Sequence, residues 1–250
     1  MKYKALIIDL DGTVVPSRED GMPSERVIKA IIEAKKYVTV SAATGRSYYA
    51  CEMVFKLLQI EDLSVIEGGS EIRNSKTGKI IFSKSLSVKN IEDIIETCAP
   101  FGYKLQHRDK NNYIFYEKLE DAEKPTNLIL IEAVKKEDTV KILEALMLVP
   151  GVAAHHTTSW LEGDVWDIHI TNEEATKKHA IEKLLKMLKV KKEEVIGIGD
   201  SFNDLPLLNS VGLKIVVGNA PEELRKIADY IAPSLEEDGV ADAIEKFILK

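Results

Sequence analysis

Apolar residues along this chain come in short runs, and several runs stop abruptly at a polar cluster. The first, Ala5-Leu6-Ile7-Ile8, ends in Asp9-Leu10-Asp11-Gly12-Thr13. A short apolar run bounded by turn formers reads as a buried strand. Val38, Val40 and Ala42 alternate, so Tyr37 to Ala43 is a second strand, and it ends in Thr44-Gly45-Arg46. Val195 to Gly199 is another, followed by Asp200-Ser201-Phe202-Asn203-Asp204. Between the first two strands, Leu10 to Met22 reads as loop. Ser24, with Pro23 beside it, then stands near the start of a helix that carries Val27, Ile28, Ile31 and Ile32 at helical spacing. Ser47 to Leu58 is a second helix, Ser64 to Glu67 a short strand, and Glu71 to Phe82 a hairpin turning at Lys76-Thr77-Gly78.

The pattern changes near Ser83. Val88 to Ala99 is a helix stopped by Pro100 and Gly102. Tyr103 to His107 and Tyr113 to Glu117 are strands joined by a charged tip, Arg108 to Asn112, and Lys118 to Asn127 is a polar loop. Leu128 to Ala133 is a strand, Lys136 to Leu148 a helix, and Val152 to His156 and Val165 to Ile170 are strands. Strands here adjoin one another, which fits an α+β unit with an antiparallel sheet. From Thr176 the alternation returns: helix to Leu188, strand to Gly199, helix Asn203 to Asn209, strand Leu213 to Val217, then helices Glu222 to Ala228 and Gly239 to Leu249. The expected fold class is therefore α/β: a parallel, Rossmann-like core sheet flanked by helices and formed by residues 1–82 and 172–250. An α+β domain, 83–171, is inserted as a cap.

Composition adds limits. The chain has 250 residues, 45% apolar and 30% charged, ordinary for a globular protein. A formal net charge of -7 argues against a nucleic-acid partner, which would favour a basic face, yet it does not exclude a phosphorylated substrate, because a bound dication supplies local positive charge. Cys51 and Cys98 are far apart and read as buried structural thiols. Asp9 interrupts the first apolar run too early for a signal peptide, and no segment reaches the ~20 apolar residues of a membrane span. The expectation is a cytoplasmic protein, monomer or homodimer, with no membrane partner.

The chemistry collects where the strands stop. On an extended backbone, positions i and i+2 point the same way, so Asp9 and Asp11 present two carboxylates on one side. Two crowded acids need a cation or hydrogen bonds between them, which makes either a metal site or an acid/base pair. Ligands of open parallel sheets sit beyond the carboxyl ends of the strands, and right-handed crossovers put those ends on one edge. Four acids and the Thr44 hydroxyl are thereby brought together. The helix beginning Thr176-Lys177-Lys178-His179-Ala180 adds a lysine near the same edge.

These stretches resemble the four motifs of the haloacid dehalogenase (HAD) superfamily phosphatases: Asp9-Leu10-Asp11-Gly12-Thr13, Thr44-Gly45-Arg46, Lys177, and Gly199 to Asp204. Their order and spacing, with Gly218-Asn219-Ala220-Pro221 and Glu237-Asp238-Gly239-Val240 in the tail, resemble the Cof-type branch, whose large α/β cap lies between the second and third motifs. The resemblance implies a Mg²⁺-dependent phosphomonoester hydrolase acting on a small phosphorylated metabolite, a sugar phosphate or a phosphoglycolate-like compound. Asp9 would be the nucleophile that becomes an aspartyl-phosphate, and Asp11 the general acid/base. Thr44 and Lys177 would hold the phosphoryl group, with Gly45, Arg46, Asn203 and Asn219 as further substrate-binding positions. Asp200 and Asp9, the Asp11 carbonyl and Asp204 would form the Mg²⁺ site, Asp204 either orienting Lys177 or holding a metal-bound water. Lys177 is in register with the family's Lys-Gly-x-Ala, but Lys178 replaces the glycine. Glu67-Gly68-Gly69 stands where the family often has Asn-Gly-Ala, which adds a negative charge near the mouth.

Other signals are weaker. Gly197-Ile198-Gly199 lacks the third glycine of a dinucleotide fingerprint. His155, His156 and His169 lack zinc spacing; His155, His156, Thr158 and Trp160 remain cap candidates to face the substrate. The alternatives to a hydrolase are a phosphomutase or phosphotransferase of the same fold, and a non-catalytic binding module on that scaffold.

Overall fold

The computed structural model describes residues 2–17, 20–109, 112–159, 161 and 163–250. In chain order, β1 (Ala5–Ile8), α1 (Glu25–Ala34), β2 (Thr39–Ala42), α2 (Tyr48–Leu58) and β3 (Leu63–Ile66) lead into the hairpin β4 (Glu71–Asn74) and β5 (Ile80–Ser83). The middle holds α3 (Val88–Cys98), β6 (Leu105–Asp109), β7 (Asn112–Tyr116), β8 (Ile129–Lys135), α4 (Lys136–Leu146), β9 (Val152–Thr158) and β10 (Val165–Asn172). The last part is α5 (Lys177–Leu188), β11 (Val195–Gly199), α6 (Leu205–Asn209), β12 (Leu213–Val216), α7 (Glu222–Arg225), β13 (Tyr230–Ile231) and α8 (Gly239–Phe247).

The central sheet is parallel, in the order β13-β12-β11-β1-β2. β1 is apolar at every position because both its faces are covered. Leu6 and Ile8 pack with Ile31 of α1, Phe55 of α2 and Ile244 of α8. Ala5 and Ile7 pack on the opposite side with Ile181 and Leu184 of α5 and Leu207 of α6. The sheet is therefore flanked by helices on both faces. β3 joins the end of β2 through one parallel bridge, Ala43 to Val65, and forms a small antiparallel sheet with β4 and β5.

The middle segment makes a five-stranded antiparallel sheet, β7-β6-β8-β10-β9. Ile129 and Ile131 of β8 and Ile168 and Ile170 of β10 turn to one face. They pack there with Ile91 and Ile94 of α3 and Ile142 and Leu146 of α4. Strand alternation sends Leu130, Glu132, Asp167 and His169 to the other face, where they line a cavity shared with the ends of β1, β2 and β11.

Element ends differ from the sequence expectation in physical detail. Ser47 caps α2 rather than belonging to it, accepting from Ala50 N–H, while Ser24, expected near a helix start, caps α1 and accepts from Val27 N–H. The expected helix 222–228 ends at Arg225, because Asp229 N–H is drawn to Lys214 O and starts β13. That edge strand is two residues long, too short for any periodicity to register. The Leu10–Met22 loop contains a tight turn, closed by an Asp11–Val15 bridge with Gly12 at φ 77°. Of the charged tip, Lys110 and Asn111 lie outside the described residues, as does Trp160. No described helix is long and apolar enough to cross a membrane.

Candidate active site

Asp9 stands at the last ladder bond of β1, its N–H donated to Ile198 O at 2.9 Å. The residue is 3% exposed. Lys177, the first residue of α5, reaches it from the neighbouring layer: Nζ lies 2.9 Å from Asp9 Oδ1 and 2.6 Å from Asp204 Oδ1. The other Asp204 oxygen accepts from the N–H groups of Asp200 and Ser201, at 3.0 and 3.2 Å. Asp204 thus ties the turn after β11 to Lys177, which in turn grips Asp9. Asp200 Oδ1 accepts from the Thr13 hydroxyl at 2.9 Å.

Two glycines make these approaches possible. A Cβ on Gly12 would stand 2.3 Å from Asp200 Oδ2, and one on Gly69 would stand 2.3 Å from the Thr176 carbonyl carbon and 2.4 Å from Lys177 N. Gly69, in the stretch that departs from the family's usual Asn-Gly-Ala, therefore provides the space that seats the start of α5.

The β2 end supplies the opposite wall. Thr44 is fully buried, and its hydroxyl oxygen accepts from Arg46 N–H at 3.1 Å. The hydroxyl proton remains to be donated. Arg46 forks onto Asp11, with Nε 3.0 and 2.9 Å from the two carboxylate oxygens and Nη2 2.5 Å from Oδ1. Gly45 packs under His169, whose Cε1 would lie 2.9 Å from a Cβ placed there.

Of the sequence candidates, Asp9, Asp11, Gly45, Arg46, Asp200 and Asn203 line the cavity, and Thr44, Lys177 and Asp204 lie buried beneath it. Asn219 stands one step behind: its amide donates to Gly12 O at 2.9 Å and accepts from Leu235 N–H at 3.0 Å, steadying the turn after β1. Asn203 Oδ1 accepts from the Ser201 hydroxyl at 2.7 Å. Among the histidines, His169 lines the cavity and packs beside His155, with ring centroids 5.4 Å apart. His156 instead stacks on Trp166 at 3.9 Å.

Residues not singled out from sequence also face the cavity, among them Glu132 of β8, Thr157 of β9 and Asp167 of β10. Their signal was alternation: Leu128, Leu130 and Glu132 share one face, opposite the core-facing isoleucines. Glu67, suspected of standing near the mouth, lines the cavity as well.

Burial and like charge dominate the electrostatics. Burial, then the charge of Asp204, pushes the Asp9 carboxyl well above the usual range, and the same two causes push Asp200 up to about 7. Burial would lower the Lys177 ammonium, but Asp204 and Asp9 outweigh it and hold the group above its ordinary value. Burial, then neighbouring Glu71, pushes Glu67 up to about 7. Four carboxylates, Asp9, Asp11, Asp200 and Asp204, face two cationic side chains, Lys177 and Arg46. A dication would balance that excess. Carboxylate oxygens of Asp9, Asp200 and Asp204 lie within 4.8 Å of one another, close enough to share one oxygen-liganded cation completed by waters. Asp204 already spends both oxygens on Lys177 and two backbone N–H groups, so Asp9 and Asp200 are the better-placed donors.

Known proteins are similar to this chain along nearly its whole length. The chain is 26% identical to phosphoglycolate phosphatase 1 of Saccharolobus solfataricus over 246 residues, 98% of this chain and 96% of that protein. It is 28% identical to the 5-amino-6-(5-phospho-D-ribitylamino)uracil phosphatase YcsE of Bacillus subtilis over 258 residues, again 98% and 96%. The crystal structure of BT1666, a HAD superfamily phosphatase of Bacteroides thetaiotaomicron, superposes with a TM-score of 0.82 at 17% identity, covering 98% of this chain and 95% of that one. The sequence model of the haloacid dehalogenase-like hydrolase family matches residues 6–148 and 102–244. With nearly the full length accounted for, this chain belongs to the haloacid dehalogenase-like hydrolases and is an enzyme of the HAD phosphatase type.

Proposed function

We propose that this chain is a Mg²⁺-dependent phosphomonoester hydrolase that works through an aspartyl-phosphate on Asp9. Its substrate is a small phosphorylated metabolite of the sugar-phosphate or phosphoglycolate type, the latter named for several relatives. The observation that carries the reading is the buried Asp9, held through one oxygen by Lys177 at the floor of a cavity of about 240 Å³. That volume is below the ~300–1,000 Å³ of sites for drug-sized ligands. Residues 1–82 and 172–250 act as the catalytic core and 83–171 as the cap. The Lys84–Glu174 ion pair and the Asn172–Ser85 hydrogen bond, which tie the two connecting segments side by side, support that division.

Mg²⁺ bound by Asp9, Asp200 and the Asp11 carbonyl would supply positive charge against the transferring phosphoryl group. The rest falls to the chain. The Asp9 oxygen not gripped by Lys177 attacks phosphorus, and the bond to the leaving oxygen breaks. Asp11 gives that oxygen a proton, then takes one from the water that hydrolyses the acyl phosphate. Lys177 neutralises the nucleophile's second oxygen, and the Thr44 hydroxyl donates to a phosphoryl oxygen. The α2 N-terminus, with Ser47 and Ala50 on the cavity wall, directs its partial positive charge the same way. Arg46 sets the direction of Asp11; phosphate oxygens give its guanidinium a second anionic partner, loosening the fork so that Asp11 can carry a proton.

The test is phosphate release from p-nitrophenyl phosphate, with Mg²⁺ and with EDTA, for wild type and Asp9→Asn. Release that needs both the cation and Asp9, with a labelled acyl-phosphate trapped in acid, is expected. Equal release by Asp9→Asn would defeat the reading. Isomerised sugar phosphate without free phosphate would mark a phosphotransferase instead.

A further inference from the structure

Ile168 and Ile170 of β10 turn into the core of the antiparallel unit, so alternation sends His169 to the opposite face. There its ring crosses to the parallel domain. It lines the cavity, and its Cε1 and Nδ1 would lie 2.9 and 3.4 Å from a Cβ on Gly45. Apart from the chain neighbours of Gly45, no other described atom comes within 4 Å of that point. Gly45 stands between Thr44 and Arg46, the two residues of β2's end that the proposed reaction brings to the phosphoryl group. Their loop is strapped to the next one: Gly68 N–H donates to Thr44 O at 3.2 Å and Glu67 N–H to Arg46 O at 2.9 Å. Gly68 forms the second side of the seat, with His169 Nδ1 4.0 Å from a Cβ placed there.

The two ring nitrogens differ. Nδ1 is buried and has no hydrogen-bond partner among the described residues. Because the residue lines the cavity, Nε2 is the nitrogen left to meet a ligand. Burial, then the charges of His155 and Lys177, hold the imidazole neutral, down to about 3. A neutral ring carries one N–H. A buried N–H without an acceptor is rarer than a buried acceptor without a donor, so the proton belongs on Nε2. The ring thus offers the cavity one uncharged donor. Tyr113, Thr126 and Thr157 bring hydroxyl groups to the same lining, but none of them comes within 4 Å of the Gly45 position that His169 covers.

We propose that His169, carried by the antiparallel unit, is a phosphate-binding residue whose Nε2–H donates to a phosphoryl oxygen held against the Thr44–Gly45–Arg46 loop. The inference rests on the phosphatase reading above and adds to its site a donor from the facing domain. A hydrogen bond to an anionic oxygen is roughly twice as strong as one between neutral groups. An uncharged donor supplies it without setting a second cation beside Lys177. The stranded Nδ1 fits this role. Leaving a buried nitrogen unpaired costs stability, and groups that break such a rule are expected where a side chain serves a ligand. The missing Cβ at Gly45 is what lets the ring come so close.

The experiment titrates inorganic phosphate calorimetrically into the full chain, in Mg²⁺ at about pH 8, where an unperturbed imidazole is also neutral. His169→Phe is expected to weaken binding at least ~10-fold, about 1.4 kcal/mol. Its unfolding temperature without phosphate should stay level or rise, because the variant removes a buried unpaired nitrogen. His169→Leu, which cannot crowd Gly45, should lose the same affinity. His169→Gln, whose amide nitrogen reaches about as far as Nε2, should recover most of it; His169→Asn, which ends near Nδ1, should not. Equal phosphate affinity in wild type, His169→Phe and His169→Leu overturns the proposal, as does recovery in His169→Asn but not in His169→Gln. Affinity and unfolding temperature falling together in His169→Phe and His169→Leu, with no recovery in His169→Gln, mark a merely structural ring and overturn it too. Failure of wild type to release phosphate from p-nitrophenyl phosphate overturns the phosphatase reading alone, since binding is read without turnover.

Discussion

Arg46 and Asp11 meet as a fork, the guanidinium Nε and Nη2 both on the carboxylate, between residues 35 apart in sequence. The Arg46 side chain is 11% exposed and that of Asp11 37%, so the pair sits at the cavity wall, partly screened. A planar fork fixes orientation as well as charge, which a lysine cannot reproduce. Arg46→Ala is expected to lower kcat/KM for an aryl phosphate by about 100-fold, the lower end of what a positioned acid/base contributes. Arg46→Lys should recover only part of it. Steady-state kinetics of the two variants checks this; full recovery by lysine would show that charge alone matters.

Lys177 is the sole described cation touching Asp9 and Asp204, and all three side chains are at most 5% exposed. Removing one partner of such a buried set leaves carboxylates uncompensated, at a cost of about 3–5 kcal/mol. Lys177→Met should show that loss in urea unfolding without Mg²⁺. Adding Asp204→Asn to it should return part of the stability by removing one stranded charge. A double variant less stable than the single one would contradict the account.

The excess of carboxylates at the rim predicts a cation-dependent stability. A ligand that binds only the folded state stabilises it by about 2.7 kcal/mol at 100 times its dissociation constant. Mg²⁺ should raise the unfolding temperature of the wild type and leave that of Asp200→Asn nearly unmoved. EDTA should reverse the rise and stop phosphate release.

His155 and His169 give a pH dependence with a definite sign. Burial, then Lys177, lowers His155 to about 4, and burial, then His155, lowers His169 to about 3, both below the ordinary 6.5. Between those values and 6.5 the unfolded chain binds more protons than the folded one. The stability of the neutral pair is thus fully present above pH 6.5 and is lost as pH falls toward 4 and 3. Each histidine contributes a slope of up to about 1.4 kcal/mol per pH unit. Urea midpoints from pH 7 to 5 should fall more steeply for wild type than for His155→Asn/His169→Asn.

Gly69 is at φ 113°, where a Cβ would meet the backbone of Thr176 and Lys177 at 2.3–2.5 Å. Gly69→Ala is expected to cost about 1–3 kcal/mol through strain alone, and to shift Lys177 off Asp9. Activity should fall more than a surface Gly102→Ala control, since nothing lies within 4 Å of a Cβ there.

Much of this was legible before any coordinates. The apolar runs of β1, β2 and β11 announce strands covered on both faces, because a parallel sheet leaves no polar face to alternate with. Turn formers and acids right after them mark the carboxyl edge, where topology alone gathers Asp9, Asp11, Thr44 and Asp200. Those features are local in sequence or follow from handedness, so a single chain displays them.

Contacts that depend on side-chain reach or on strand register were not legible. The Arg46 fork and the chain of contacts from the β11 turn through Asp204 and Lys177 to Asp9 join segments up to 168 residues apart, and no spacing rule ranks Lys177 above Lys178. The edge strand β13 is too short to show a period. The pairing of Glu132 with Asp167 exists only because a bulge inserts one residue into β8, and a one-residue change of register moves a side chain from one face of a sheet to the other. Sequence set the covalent order of apolar and acidic stretches, and with it the rim. The packed structure alone decided which charges touch and what kind of surface faces them, because both are fixed by ångström-scale approach between elements that are remote along the chain.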